Sequence, residues 1–86
     1  MDKGMHMTVI APEGILFEGI VESAKFPGIK GEFTVWHNHS SLISGLSSGK
    51  IIYISEGHTQ AIPLQSGFVE ISKNSILACI ETQETQ

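Results

Sequence analysis

The side chains best able to hold a metal or act as a nucleophile are four histidines and one cysteine. His37 and His39 stand two apart, so an extended chain places both imidazoles on one face. Two imidazoles can begin a zinc or iron site, with His58 or Glu56 across a turn as a third ligand. The spacing of two histidines is weak support by itself. A cupin-type His-x-His pattern also wants a glutamate shortly after, and here Ile43 and Ser44 occupy that place. A small metal-binding β-barrel built on His37, His39 and His58 is therefore the second reading of this sequence. The simpler account makes these histidines polar loop residues.

The nucleophiles lead less far. Cys79 lies in the apolar run Ile76 to Ile80, where a buried neutral thiol is inert. Ser40, Ser41, Ser44, Ser47 and Ser48 show no nucleophile-elbow pattern. Gly28-Ile29-Lys30-Gly31 precedes a strand rather than a helix, and it lacks the Lys-Ser/Thr ending of a phosphate loop. No two carboxylates pair as a general acid and base. The residues thus argue against an enzyme and ask for no cofactor. The densest stretch is Phe26 to Leu46, with the only tryptophan (Trp36), His37, His39, Glu32 and three glycines. Glu32 follows a Gly-framed turn, either as a solvated charge or as a carboxylate offered to a partner.

Those residues must be positioned by strands. The chain has 86 residues, 41% hydrophobic and 16% charged, which fits one domain over residues 1–86. The expected ordered core is about 5–81, with tails 1–4 and 82–86. A domain of this size buries roughly 60–65% of its unfolded surface. Net charge is −4, with five lysines and no arginine. The basic patches and bidentate forks of nucleic-acid binding are missing, so no nucleic-acid partner is expected. One cysteine excludes an internal disulfide. No run approaches the about 20 apolar residues of a membrane span, so no direct membrane insertion is expected.

Period-two alternation predicts strands over Met5–Ile10, Ile15–Glu18, Ile20–Phe26 and Glu32–Trp36. Further strands are expected over Lys50–Ile54, Thr59–Leu64, Gly67–Ser72 and Ile76–Ile80. Leu42–Leu46 fits a short strand or one helical turn. Ser55-Glu56-Gly57-His58 reads as a tight hairpin. Pro63 sends its strand to an edge. Eight or more short strands with turns every several residues make the fold class all-β, an antiparallel sandwich or barrel. The expected core is Val9, Leu16, Phe26, Phe33, Val35, Leu46, Ile52, Ile54, Ile62, Val69, Ile71, Ile76 and Ile80. Each contributes about 1.5–3 kcal/mol when buried, before entropy.

Several stretches, in order, resemble the epsilon subunit of the F-type ATP synthase. They are Ala11-Pro12-Glu13-Gly14-Ile15-Leu16-Phe17-Glu18-Gly19, Phe26-Pro27-Gly28 with Gly31-Glu32-Phe33, and His39 before Leu42. Gly49 before the Ile-rich strand and Ser66-Gly67-Phe68-Val69-Glu70-Ile71 complete the set. The resemblance runs from about Met5 to Glu81. It implies an antiparallel β-sandwich of about ten short strands and a non-catalytic rotor component of the central stalk, coupling proton translocation to ATP synthesis. It further implies two partners, the gamma subunit and the ring of c subunits, and a peripheral place at the cytoplasmic face of the bacterial inner membrane.

By position, Lys30, Gly31 and Glu32 fall in the loop that meets the c ring, and His39, Leu42 and Ser44 fall where the family faces gamma. Trp36, large and apolar with one N–H, is of a type enriched at interfaces and is expected beside the gamma contact. The segment Thr34-Val35-Trp36-His37-Asn38-His39 departs from the family's Gly-Val-Leu-Pro-Gly-His. The family commonly continues into a two-helix C-terminal domain. This chain stops after its last strand, so inhibition and nucleotide binding through those helices are not expected of it.

Overall fold

Turn chemistry cuts the chain into short strands. In the computed structural model, which describes residues 4–82, these are β1 (Met5–Ala11), β2 (Gly14–Val21), β3 (Ser23–Gly28), β4 (Gly31–Val35), β5 (Leu42–Leu46), β6 (Gly49–Ser55), β7 (His58–Leu64), β8 (Ser66–Ser72) and β9 (Ser75–Glu81). There are nine strands and no helix among the described residues. The expected tails fall mainly outside the described residues; only Gly4 and Thr82 of them lie within. Leu42–Leu46 is a strand, not a helical turn. Glu56 and Gly57 both take positive φ, 53° and 78°, the signature of a type I′ turn. That turn joins β6 to β7 directly, with Ser55 opposite His58.

The strands form one continuous sheet in the order β2-β1-β9-β8-β5-β3-β6-β7, with β4 on β3. Every neighbouring pair is antiparallel except β1 and β9, which run parallel. The sheet curls until its two ends meet, giving a half-barrel sandwich around one core. At the seam Ser55 Oγ donates to the Ile20 carbonyl at 2.8 Å and the Glu22 N–H to the Ile54 carbonyl at 2.7 Å. The Phe17 and Tyr53 rings lie 4.5 Å apart across it. β7 is an edge strand, so Pro63 deprives no neighbour of a donor.

The inner faces carry Met5, Met7 and Val9 of β1, Val69 and Ile71 of β8, and Ile76, Ala78 and Ile80 of β9. Of the expected core, Val9, Phe26, Val35, Leu46, Val69, Ile71, Ile76 and Ile80 are buried, and Phe33 and Ile62 are half-buried against them. Three differ. Leu16 is 39% exposed: Val9 pairs with Phe17 but Ile10 with Ile15, so Leu16 is the extra residue of a bulge, and Phe17 turns inward. Ile52 and Ile54 are only half-buried, while Ile51 and Tyr53 face the core. A strand apolar on both faces carries no period, and its pairing with β7 sets which face is inner.

The expected strand Ile20–Phe26 is broken at Glu22, where the chain leaves β1 and joins β6. Val21, Ser23 and Ala24 are consequently all buried. Cys79 is half-buried on the outer face opposite Phe68 and Ile10, not in the core.

β3 positions everything that follows. One edge pairs with β4 from Ala24–Val35 to Gly28–Gly31. The other pairs with β6 through Ser23–Lys25 and with β5 at Gly28–Leu46. Three steps along β3 (28 to 25) are matched by six along its partner (46 to 52). The surplus is taken up by a kink at Ser47 and Ser48. Ser47 fastens that kink, its N–H and Oγ both reaching the Pro27 carbonyl at 2.8 and 3.2 Å.

Candidate functional site

The β3–β4 hairpin carries one candidate surface at each end. Its tip is a two-residue turn, Ile29-Lys30, closed by the Gly28–Gly31 pair. Gly28 is required by close approach: a Cβ there would stand 2.6 Å from the Gly31 carbonyl oxygen. Gly31 has φ +127°, where side-chain-bearing residues are strained. Lys30, Gly31 and Glu32 are all exposed, so the expected loop is displayed to solvent. Glu32 Oε1 lies 3.8 Å from Lys25 Nζ with both side chains largely exposed, a contact worth little in water. The tip is held laterally through Ile29, whose N–H donates to the Gly45 carbonyl of β5 at 3.0 Å.

The other end lies four residues along β4, about 13 Å away at 3.3 Å per residue. There Trp36 leaves the sheet 60% exposed. The next residues form a tight turn: the His39 N–H donates to the Trp36 carbonyl at 3.1 Å, and Asn38 takes φ 68°. Asn74, in the β8–β9 turn, anchors it by accepting from the Asn38 N–H at 2.9 Å through Oδ1. His39 Nδ1 lies 2.7 Å from the Ser40 carbonyl oxygen, which accepts its proton in the Nδ1–H tautomer. His37 is half-buried, and its Nδ1 is buried without a hydrogen-bond partner.

The expected gamma-facing residues do not all share one face. Trp36 is exposed and His39 half-buried beside it. Leu42 is half-buried against the core, and Ser44 is half-buried with its Oγ donating to the Gly45 carbonyl at 2.9 Å. The residue of β5 turned fully outward is Ile43, 72% exposed, and at the tip Ile29 is 63% exposed. Neither was expected. In Leu42-Ile43-Ser44-Gly45-Leu46 apolar residues occupy both parities, so alternation cannot say which side is wet. Ile29 carried a usable signal, an isoleucine inside a two-residue turn where nothing can cover it.

The metal reading does not survive. Among the described residues no three of His, Cys, Asp or Glu are grouped to hold an ion. His37 and His39 sit in the turn after β4, whereas His58 opens β7, exposed. Sequence reasoning also missed a cleft of about 870 Å³ beside Trp36, at the seam where β2 meets the β6–β7 turn. Its lining comes from segments far apart in the chain, so no local spacing could have announced it.

Comparison with known proteins follows the same lines. Residues 4–86 match the family model described as the beta-sandwich domain of the ATP synthase delta/epsilon chain. The chain is 38% identical over 78 residues to the ATP synthase epsilon chain of a Nitratiruptor species, covering 90% of this chain and 60% of that one. It is 31% identical over 84 residues to the epsilon chain of Nitratidesulfovibrio vulgaris (strain Miyazaki F), covering 98% and 63%. The chain therefore spans about three-fifths of the length of these relatives. Among solved structures, a chain of the Euglena gracilis mitochondrial ATP synthase OSCP/F1/c-ring superposes with TM-score 0.85 at 14% identity, over 93% of this chain and 52% of that one. A chain of the Tetrahymena thermophila mitochondrial ATP synthase central stalk and c-ring gives 0.73 at 12% identity, over 90% and 63%. At those identities the likeness is one of fold.

Proposed function

The chain belongs to the ATP synthase delta/epsilon-chain β-sandwich family, and from that premise we propose that it is the epsilon-type component of the central stalk of an F-type ATP synthase. In this reading residues 1–86 act as one domain, a non-catalytic part of the rotor. It sits peripherally at the cytoplasmic face of a bacterial inner membrane, with the gamma subunit and the c ring as partners. The family match over residues 4–86 carries the proposal.

The hairpin geometry suits such a role. The exposed tip, Lys30, Gly31 and Glu32, is the part offered to the polar loops of the ring. The Trp36 end, with His39, Leu42 and Ser44, is the part offered to gamma. Ile43 joins that second set on the strength of its exposure. The two ends belong to one hairpin, and β3 is paired along both edges. A load on the tip then passes through backbone hydrogen bonds into β5 and β6 rather than through flexible side chains. A component that must turn with two partners needs this stiffness more than it needs any catalytic group.

The test is direct. Mixed with gamma at micromolar concentration, the chain is expected to co-elute with it in size-exclusion chromatography as a stoichiometric complex. Separate elution of the two would refute the proposal.

A further inference from the structure

The cleft beside Trp36 has a composition that selects its occupant. Its apolar lining includes Phe17, Ile20 and Trp36, and the carboxylate residues Glu18, Glu22 and Glu56 line it as well. No lysine lines it among the described residues. Glu22 is held in place, its Oε2 accepting from the Gly57 N–H at 3.3 Å. Glu18 Oε2 lies 3.7 Å from His6 Nε2, with both side chains about half exposed. Glu56 has neither hydrogen bond nor ion pair from its carboxylate among the described residues. The unpartnered Nδ1 of His37 belongs to a residue that lines the same cleft.

We propose that this cleft receives an arginine side chain from a polypeptide segment of the partner that seats beside Trp36. The proposal rests on the function proposed above and adds the chemistry of that contact. A guanidinium is flat, weakly hydrated and always charged. It stacks on an indole face while its N–H groups fork onto carboxylates. A lysine ammonium matches the charge but not the stacking. An anionic or purely aliphatic segment would leave the three carboxylates desolvated without compensation. The chain itself has no arginine, so the guanidinium must come from outside.

Trp36 is the only tryptophan, so its fluorescence reports on the cleft alone. The full chain is titrated with the tripeptide amides acetyl-Arg-Leu-Arg, acetyl-Lys-Leu-Lys, acetyl-Gln-Leu-Gln and acetyl-Glu-Leu-Glu. The arginine peptide is expected to change the emission saturably in the millimolar range, the lysine peptide more weakly, and the other two not at all. The double variant Glu18→Gln/Glu56→Gln is expected to weaken the arginine peptide about threefold to tenfold, two partly exposed ionic contacts being removed. Three results would each overturn the assignment: no saturable change with arginine, an equal change with the glutamine or glutamate peptide, or unaltered affinity in the double variant. In complexes with gamma the same variant separates the two proposals. If the parent binds gamma and the variant binds it equally well, the cleft assignment fails and the proposed function stands. If the parent does not bind gamma, the proposed function fails, and the peptide titration still decides the chemistry of the cleft.

Discussion

Replacing Gly28 by alanine probes the tip where its geometry is tightest. The new Cβ would lie 2.6 Å from the Gly31 carbonyl oxygen and 2.9 Å from Phe33 Cε1. Carbon and carbonyl oxygen tolerate about 3.3–3.6 Å, so one strand of the hairpin must retreat by about 0.7–1 Å. The oxygen belongs to the partner backbone of a two-residue turn and has no rotamer to escape into. Overpacking of this kind costs about 1–3 kcal/mol. At about 0.05–0.15 kcal/mol per residue, a chain of this length has about 4–13 kcal/mol in total, and each kcal/mol lowers Tm by about 4–8 °C.

Gly45→Ala is the matched comparison. Its Cβ would meet only Ile29, at 3.2 Å from Cδ1, the far end of an exposed side chain that can swing away. The reduced freedom of the unfolded chain offsets that small cost. Thermal unfolding followed by far-UV circular dichroism should show Gly28→Ala melting about 8–16 °C below the parent for a penalty of about 2 kcal/mol. Gly45→Ala should stay within about 3 °C. Equal shifts for the two variants would refute the claim that backbone approach, rather than mere loss of a glycine, shapes the tip.

Other substitutions test the remaining features. Glu32→Lys replaces the exposed pair with Lys25 by two like charges that solvent screens, so stability should change by less than about 1 kcal/mol. Coupled proton pumping in the assembled complex should nevertheless fall, and an unchanged value would detach Glu32 from the ring. Phe26→Ala removes a fully buried ring stacked 5.6 Å from Phe33. It should cost about 3–5 kcal/mol, seen as a large drop in the urea midpoint. Trp36→Ala should leave that midpoint nearly unmoved, because the side chain is mostly exposed, yet weaken co-elution with gamma. Tyr53 is only 7% exposed, and burial raises its phenol above the usual value of 10.0. The neutral form is favoured by folding, so this contribution is intact below about pH 10 and is lost as pH rises through the raised value. Phenolate absorbance should therefore appear at higher pH in the native chain than in urea.

What could be read without coordinates was whatever is decided locally. Met5, Met7 and Val9 share the buried face of β1 because alternation is a property of neighbours. Glu56-Gly57 forms its turn because two successive positive φ values need such residues. Pro63 marks an edge for the same kind of reason. The failures are the places where a distant strand decides. The inner face of β6 is chosen by its pairing with β7, the bulge at Leu16 by a register mismatch with β1, and the break at Glu22 by a change of partner. The candidate surfaces divide in the same way. Two glycines around a two-residue turn told that Lys30 and Glu32 would be displayed, whereas nothing local told that Ile43, not Leu42 or Ser44, faces outward.

The outer face is ordered by the same strand pairing as the core. Cross-strand register lines up Ile15, Ile10, Cys79 and Phe68 in one row across β2, β1, β9 and β8. The row ends at Gly45 of β5, where the missing side chain leaves room for Ile29 to lie down. Leu77 and Ile43 flank it, separated by Glu70. Ile15, Ile10, Phe68 and Leu77 are each partly exposed along it. The same register that builds the core therefore builds the row: moving any strand by one residue would send Phe68 or Ile10 inward and expose Val69 or Val9 instead. Core and outer row are two faces of one pairing scheme. A substitution that shifts register should consequently abolish the folding transition seen by circular dichroism, while one confined to the outer row should leave it in place.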